Sequence, residues 1–147
     1  MDITGYSVHV RKRVSFLKAM MDHFCGSALI SFEGDLSAID IQNIPNTSTQ
    51  PTGDLRRNTF DPQRDFIVLP LEAHTIDIIR NDILHRIGLS RRVDHILIAQ
   101  DGKLVVGIYD RFDEGSVWVS PQTSRSFLDS LAEQDIINSY TFLTYSE

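Results

Sequence analysis

At 147 residues, with 41% hydrophobic and 23% charged side chains, the chain has the length and balance of one globular domain able to bury a core without disulfide or metal staples. No apolar run nears the roughly 20 residues that a membrane-spanning helix needs, and Pro70 interrupts the longest one at Phe66 to Leu71. The formal charge of −6 sits in the C-terminal third, where nine acids face three bases from Asp94 to Glu147, against eleven of each in residues 1–93; such a field repels phosphate backbones, and it either serves solubility alone or draws a basic protein rather than nucleic acid.

In chain order, Tyr6, Val8 and Val10 alternate as a strand does. Val14, Leu17, Met21 and Phe24 then recur at helical spacing, which predicts a helix from Arg13 to Phe24 stopped by Gly26. Ala28, Ile30 and Phe32 resume the strand pattern, and Glu33-Gly34-Asp35 reads as a hairpin turn toward Ile39 and Ile41. From Gln42 to Asp65 periodicity gives way to Pro45, Pro51, Pro62, Gly53 and a Thr/Ser cluster, a long polar loop. Phe66 to Leu69 reads as a buried strand ended by Pro70, and Ile76, Ile79, Ile83 and Ile87 form the stripe of a second helix stopped by Gly88.

The strongest local signal is Val93 to Ala99 and Leu104 to Tyr109 around Asp101-Gly102. Both central residues of a type I′ turn need positive φ, which Asp and Gly tolerate. A two-residue turn pairs Ala99 with Leu104, Leu97 with Val106 and His95 with Ile108, and puts Gly107 and Tyr109 on the opposite face with Ile96 and Ile98. Both faces are apolar, so the hairpin belongs in mid-sheet or at an interface. Val117 to Val119 adds a strand, Ser120-Pro121 reads as the cap and first residue of a third helix carrying Phe127, Leu128 and Leu131, and Tyr140, Phe142 and Leu143 form a last strand. The expected fold is a single α+β domain over residues 1–147, two-layer, with a mostly antiparallel sheet and about three helices packed against it.

Candidate chemistry is thin. His23 beside Cys25 does not by itself make an activated thiol, because a nucleophile's partner is brought in by the fold. Asp82, His85 and His74 lack zinc-site spacing, so no metal or other cofactor is expected. The single Cys25 forms no internal disulfide and no secretory leader is apparent, which together favour the cytoplasm. His95 opens a core strand near an acidic loop, as a hydrogen-bonded structural histidine or a site residue, and the 42–65 loop exceeds the length usual inside a compact domain, as lids, binding loops and disordered insertions do. Within the acidic loop, Asp110, Phe112, Asp113 and Glu114, followed by Trp118, match the way a surface grips a basic protein, with aromatic anchors and steering charges. The alternative is that both aromatics belong to the core and the acids solvate a turn.

The second half of the chain, from Val93-Asp94-His95-Ile96-Leu97-Ile98 through Asp101-Gly102-Lys103-Leu104 and Gly107-Ile108-Tyr109-Asp110-Arg111-Phe112 to Val117-Trp118-Val119 and the Phe127-Leu128 helix, resembles small uncharacterised bacterial proteins of the toxin-immunity type, encoded beside secreted toxins. The resemblance carries no active-site motif. It implies a cytoplasmic protein that binds and neutralises a toxin, which an acidic surface suits when the toxin is basic. The resulting expectation is a non-enzymatic protein-binding domain using Asp110, Phe112, Asp113, Glu114 and Trp118. The rivals are a small hydrolase-like enzyme with a pocket near His95, Asp110 and Tyr109 under the 42–65 loop, and a homodimer formed through the doubly apolar hairpin.

Overall fold

The computed structural model describes residues 3–37, 44–60, 62–87 and 92–145. Its framework is one seven-stranded sheet in the order β3-β2-β4-β5-β6-β1-β7. The strands are β1 (Ile3–Val10), β2 (Ala28–Gly34), β3 (Asp65–Leu71), β4 (Val93–Gln100), β5 (Lys103–Ile108), β6 (Val117–Val119) and β7 (Ile137–Tyr145). Every pairing is antiparallel. Three helical segments complete an α+β fold: α1 (Arg13–His23), α2, and α3 (Arg125–Glu133). Helix α2 runs through an α-helical turn Ile76–Ile78, a π-helical stretch Ile79–Ile83 and a closing turn Leu84–Ile87. No described helix is long and apolar enough to cross a membrane.

Strand alternation decides which side of the sheet is filled. Tyr6, Val8, Ile30, Phe32, Ile67, Leu69, Ile96, Ile98, Val106 and Val119 join Phe16, Leu17 and Met20 of α1, Ile79 and Ile83 of α2, and Leu128 and Leu131 of α3 in one core. Residues one step along the strands point the other way. There Phe66, Val68, Leu97 and Ala99 form a second, smaller cluster closed by Leu55 from the long loop, which is wholly buried.

The predicted turn at Asp101-Gly102 is present, with φ of 51° and 74°. The predicted register holds only at Ala99↔Leu104. Beyond it Ile98 faces Val106, Leu97 faces Gly107 and Ile96 faces Ile108, because Val105 is an extra residue in β5. A bulge of this kind shifts every later residue to the opposite face. Val105 and Val106 both enter the main core, and the Val105 carbonyl accepts a hydrogen bond from the Ser120 amide at 2.8 Å. Gly107 and Tyr109 thereby come round to the face of His95. The hairpin does lie in mid-sheet, with β2 and β6 occupying its two edges.

Two other expectations are corrected. Ser120 does not cap the third helix: its hydroxyl accepts from Gln122 N at 3.1 Å within a turn, and Ser124 caps α3 by accepting from Phe127 N at 3.2 Å. Strand β2 pairs with β3 on one side and β4 on the other, so its hairpin partner along Ala28–Gly34 is not the 39–41 segment. That segment, and the predicted helix stop at Gly88, lie outside the described residues. The long loop also has definite anchors. Ser48 and Val68 exchange two main-chain hydrogen bonds, at 3.0 and 2.7 Å, which cover part of the free edge of β3.

Candidate functional site

At the end of β5 the chain makes a turn that L-residues seldom adopt. Asp110, Arg111 and Phe112 all lie in the left-handed region, with φ of 50°, 59° and 65°. Ordinary residues are destabilised there by Cβ crowding, at about 1–2 kcal/mol each, so surrounding contacts must hold the turn in place. Several do. The Tyr109 amide donates to the Ser116 carbonyl at 2.9 Å, and the Phe112 and Asp113 amides donate back to Tyr109 and Asp110, each at 3.2 Å. Phe112 is buried in the main core with the Arg13 guanidinium 5.7 Å above its ring. It is therefore a foot of the turn and not the exposed aromatic anchor that its place in an acidic loop suggests.

Arg111 supplies the second foot. Its Nε donates to Asp94 Oδ1 at 2.8 Å, while Arg64, at the end of the long loop, donates to Asp94 Oδ2 at 3.0 Å. Burial works to raise the Asp94 pKa, but the hydrogen bonds and charges of Arg111 and Arg64 outweigh it and hold the carboxyl below its ordinary range. One carboxylate thus ties the turn to the loop.

A second buried carboxylate fixes the loop to the sheet. Glu33 is 1% exposed and faces His95 across the β2–β4 ladder. Its oxygens accept from Asn58 N at 2.8 and 3.0 Å, from Thr59 N at 2.8 Å and from the Thr59 hydroxyl at 2.5 Å. Sequence reading assigns Glu33 to a turn and passes over Asp94. The available signal was a charge set within each strand's apolar pattern, where an unpaired carboxylate would be costly.

These anchors leave the acidic loop strongly charged. Asp110, Asp113 and Glu114 are exposed, and the one base among them, Arg111, is engaged by Asp94. Glu114 and Gly115 overhang a groove of about 220 Å³ that also touches Ser7, His9, Ser139 and Thr141. Those four belong to the side of β1 and β7 opposite the helices. On this same face Trp118 is half-buried, its ring occupying the space a Cβ at Gly5 would take, and its Nε1 is buried without a hydrogen-bond partner. Tyr109 likewise lies over Gly107, where a Cβ would stand 2.7 Å from its ring. Two glycines therefore make room for two aromatic rings against this face of the sheet.

His95 joins this neighbourhood through the bulge. Its Nδ1 accepts from the Asp110 amide at 3.3 Å, which puts the neutral ring's proton on Nε2, and its ring centre is 5.9 Å from that of Tyr109. Burial raises the Tyr109 hydroxyl pKa, so it stays protonated. The part of Asp110 that meets His95 is its main chain, leaving the carboxylate free to face solvent. A separate cleft of about 350 Å³ opens where the long loop meets β3, lined by Leu36, Arg57, Arg64 and Phe66. The Arg57 guanidinium lies 5.2 Å from the Phe66 ring centre.

His23 and Cys25 do not form an activated pair. His23 stacks on Phe127, with ring centres 4.2 Å apart, and burial lowers its pKa. Burial, then the nearby Glu72 and Asp22 carboxylates, push the Cys25 thiol upward, away from the reactive thiolate. Among the described residues no group of three or more His, Cys, Asp or Glu side chains could hold a metal ion. Compared with protein-family models, curated protein sequences and solved structures, the chain matches none.

Proposed function

We propose that this chain is a non-enzymatic protein-binding domain of the immunity type, which neutralises a basic partner through Asp110, Asp113 and Glu114 with Trp118 and Tyr109 alongside. The observation that carries the reading is the strained turn. Three exposed carboxylates, Asp110 on the left-handed segment and Asp113 and Glu114 directly after it, stand at a turn held from below by Phe112 and Arg111, and the one base among them is drawn away to Asp94. A rigid, uncompensated acidic lip beside a half-buried aromatic surface suits electrostatically steered association. We read the molecule as two layers, helices against one side of the sheet and the long loop against part of the other, with the remaining part of that second side free for the partner. A cytoplasmic location belongs to the same proposal and accords with a lone, half-buried cysteine.

The test is capture from native host lysate at low salt followed by elution with rising salt. A basic, stoichiometric partner released as salt screens the carboxylates supports the reading, and a partner indifferent to salt contradicts it. The rival reading, a small hydrolase-like enzyme, is supported by the approach of His95, Tyr109 and the Asp110 amide to one another. It predicts substrate turnover that His95→Gln abolishes.

A further inference from the structure

The cleft of about 350 Å³ where the long loop meets β3 holds a cation and a main-chain donor that the protein leaves unmatched. Arg57 and Arg64 both line it, and Arg57 donates to the Arg64 carbonyl, so two guanidiniums are kept at one cavity. Arg64 is matched: its Nε bonds to Asp94 Oδ2 at 3.0 Å, and Asp35 and Asp65 add to the negative field around it. Arg57 is half-buried, with its guanidinium 5.2 Å from the Phe66 ring centre, and among the described residues it forms no ion pair with a carboxylate. Glu33, which faces Phe66 across the β2–β3 ladder, commits its oxygens to Asn58 and Thr59. The donor is the Phe66 amide. Ser48 takes both main-chain groups of Val68 on the outer edge of β3, which makes Ser31↔Val68 a non-hydrogen-bonded pair of the ladder. Two residues earlier, Glu33↔Phe66 has the same character, so the Phe66 N–H also points out from the edge, and among the described residues nothing accepts it. Phe66 is 3% exposed, and a buried amide needs an acceptor.

We propose that this cleft binds a monocarboxylate with a short apolar body. The carboxylate accepts from the Arg57 guanidinium and from the Phe66 amide, so one group satisfies the unmatched cation and the unmatched donor together. Arginine suits the task because its planar fork meets a carboxylate with two charge-assisted hydrogen bonds. The apolar body rests against Leu36 and Ile67, buried residues that line the same cleft. The charge of the lining selects a monoanion. Two guanidiniums stand against the one carboxylate of Asp65, which is held in place by the Leu36 amide at 3.0 Å and repels a second negative charge on the ligand. Inorganic phosphate and dicarboxylates are therefore disfavoured. The volume lies at the small end for ligand sites, as fits a short aliphatic or single-ring acid. A free acid and the C-terminal carboxylate of a peptide share this chemistry. The site is independent of the acidic lip, since its ligand has the opposite charge to a basic partner and meets none of Asp110, Asp113 and Glu114.

Amide-resolved NMR titration of the whole chain with hexanoate tests this. Saturable shifts are expected at the Phe66 amide and the Arg57 Nε–H, with hexanamide, the uncharged analogue, and inorganic phosphate each binding about tenfold more weakly or worse. Arg57→Gln weakens hexanoate by about tenfold or more, whereas the variant carrying Asp110→Lys, Asp113→Lys and Glu114→Lys binds it as the wild type does, so the result stands apart from any protein partner. Should Arg57→Gln loosen the loop, seen as lost hydrogen-exchange protection at Asn58 and Thr59, the comparison of hexanoate with hexanamide on the wild type decides alone. A short peptide ending in leucine, set against its C-terminal amide, identifies the source: tighter binding than hexanoate assigns a chain terminus, weaker binding a free acid. Hexanoate that binds no better than hexanamide, or that shifts neither Phe66 nor Arg57, overturns the proposal.

Discussion

Two carboxylates organise the site, and neither is one of the acids that draw the eye in the sequence. Asp94 is held ionised by Arg111 and Arg64 against the opposing effect of burial. A carboxyl with a depressed native pKa stabilises the fold above its unfolded value of about 3.9 and loses that contribution as pH falls through the lower native value. Asp94→Asn should therefore cost about 1 kcal/mol near neutrality, the scale of half-exposed ion pairs, and cost progressively less as the solution is acidified. Urea melts of both proteins across the acid limb check this; a difference that grows on acidification contradicts it. Glu33 is the heavier anchor, because replacing it strands two amides and a hydroxyl at the loop. Glu33→Ala is expected to cost about 2–3 kcal/mol and to speed hydrogen exchange at Asn58 and Thr59, whereas unchanged protection would mean the loop is held elsewhere. The apolar alternation around both residues was legible in the sequence. Which arginine or amide would neutralise each charge was not, since the partners lie 17 to 30 residues away in the chain.

Among the elements, the hairpin shows most clearly where local pattern ends. Asp101-Gly102 specifies its own turn, because the φ values it needs are a property of those two residues. The bulge at Val105 has no comparable signal: it is fixed by Ser120 N reaching the Val105 carbonyl and by the room for two valines in the core. That one residue brings Tyr109 to His95, so the candidate site could not be assembled from the strand pattern alone. Ser120-Pro121 misled for a related reason. It is a sound helix start by type, but the Ser120 backbone is committed to β5, and the helix waits for Ser124. Ser124→Ala should cost about 1 kcal/mol, the usual loss on removing a helix cap, while Ser120→Ala should leave the helical signal in circular dichroism intact. The left-handed turn makes the opposite kind of prediction. Asp110→Gly relieves crowding and is expected to raise stability by up to about 1 kcal/mol, read as a higher melting temperature, while weakening partner binding through the lost charge. A lower melting temperature would show that Asp110 is at ease where it stands.

On the scale of the whole molecule, the charge count of the C-terminal third was readable from the sequence, but its orientation was not. Folding commits Arg111 to Asp94, buries Phe112, and leaves Asp110, Asp113 and Glu114 pointing outward beside a groove. Trp118, the only tryptophan, lies on that face and reports on it. The central claim is that those three carboxylates bind a basic protein. The most direct measurement compares capture from native host lysate at low salt by the wild-type chain and by the variant carrying Asp110→Lys, Asp113→Lys and Glu114→Lys, with matched circular dichroism to establish equal folding. The account predicts one stoichiometric basic partner held by the wild type, shifting Trp118 emission when it binds, and lost by the variant. A basic partner that the variant retains equally, or no basic partner on either protein, contradicts it.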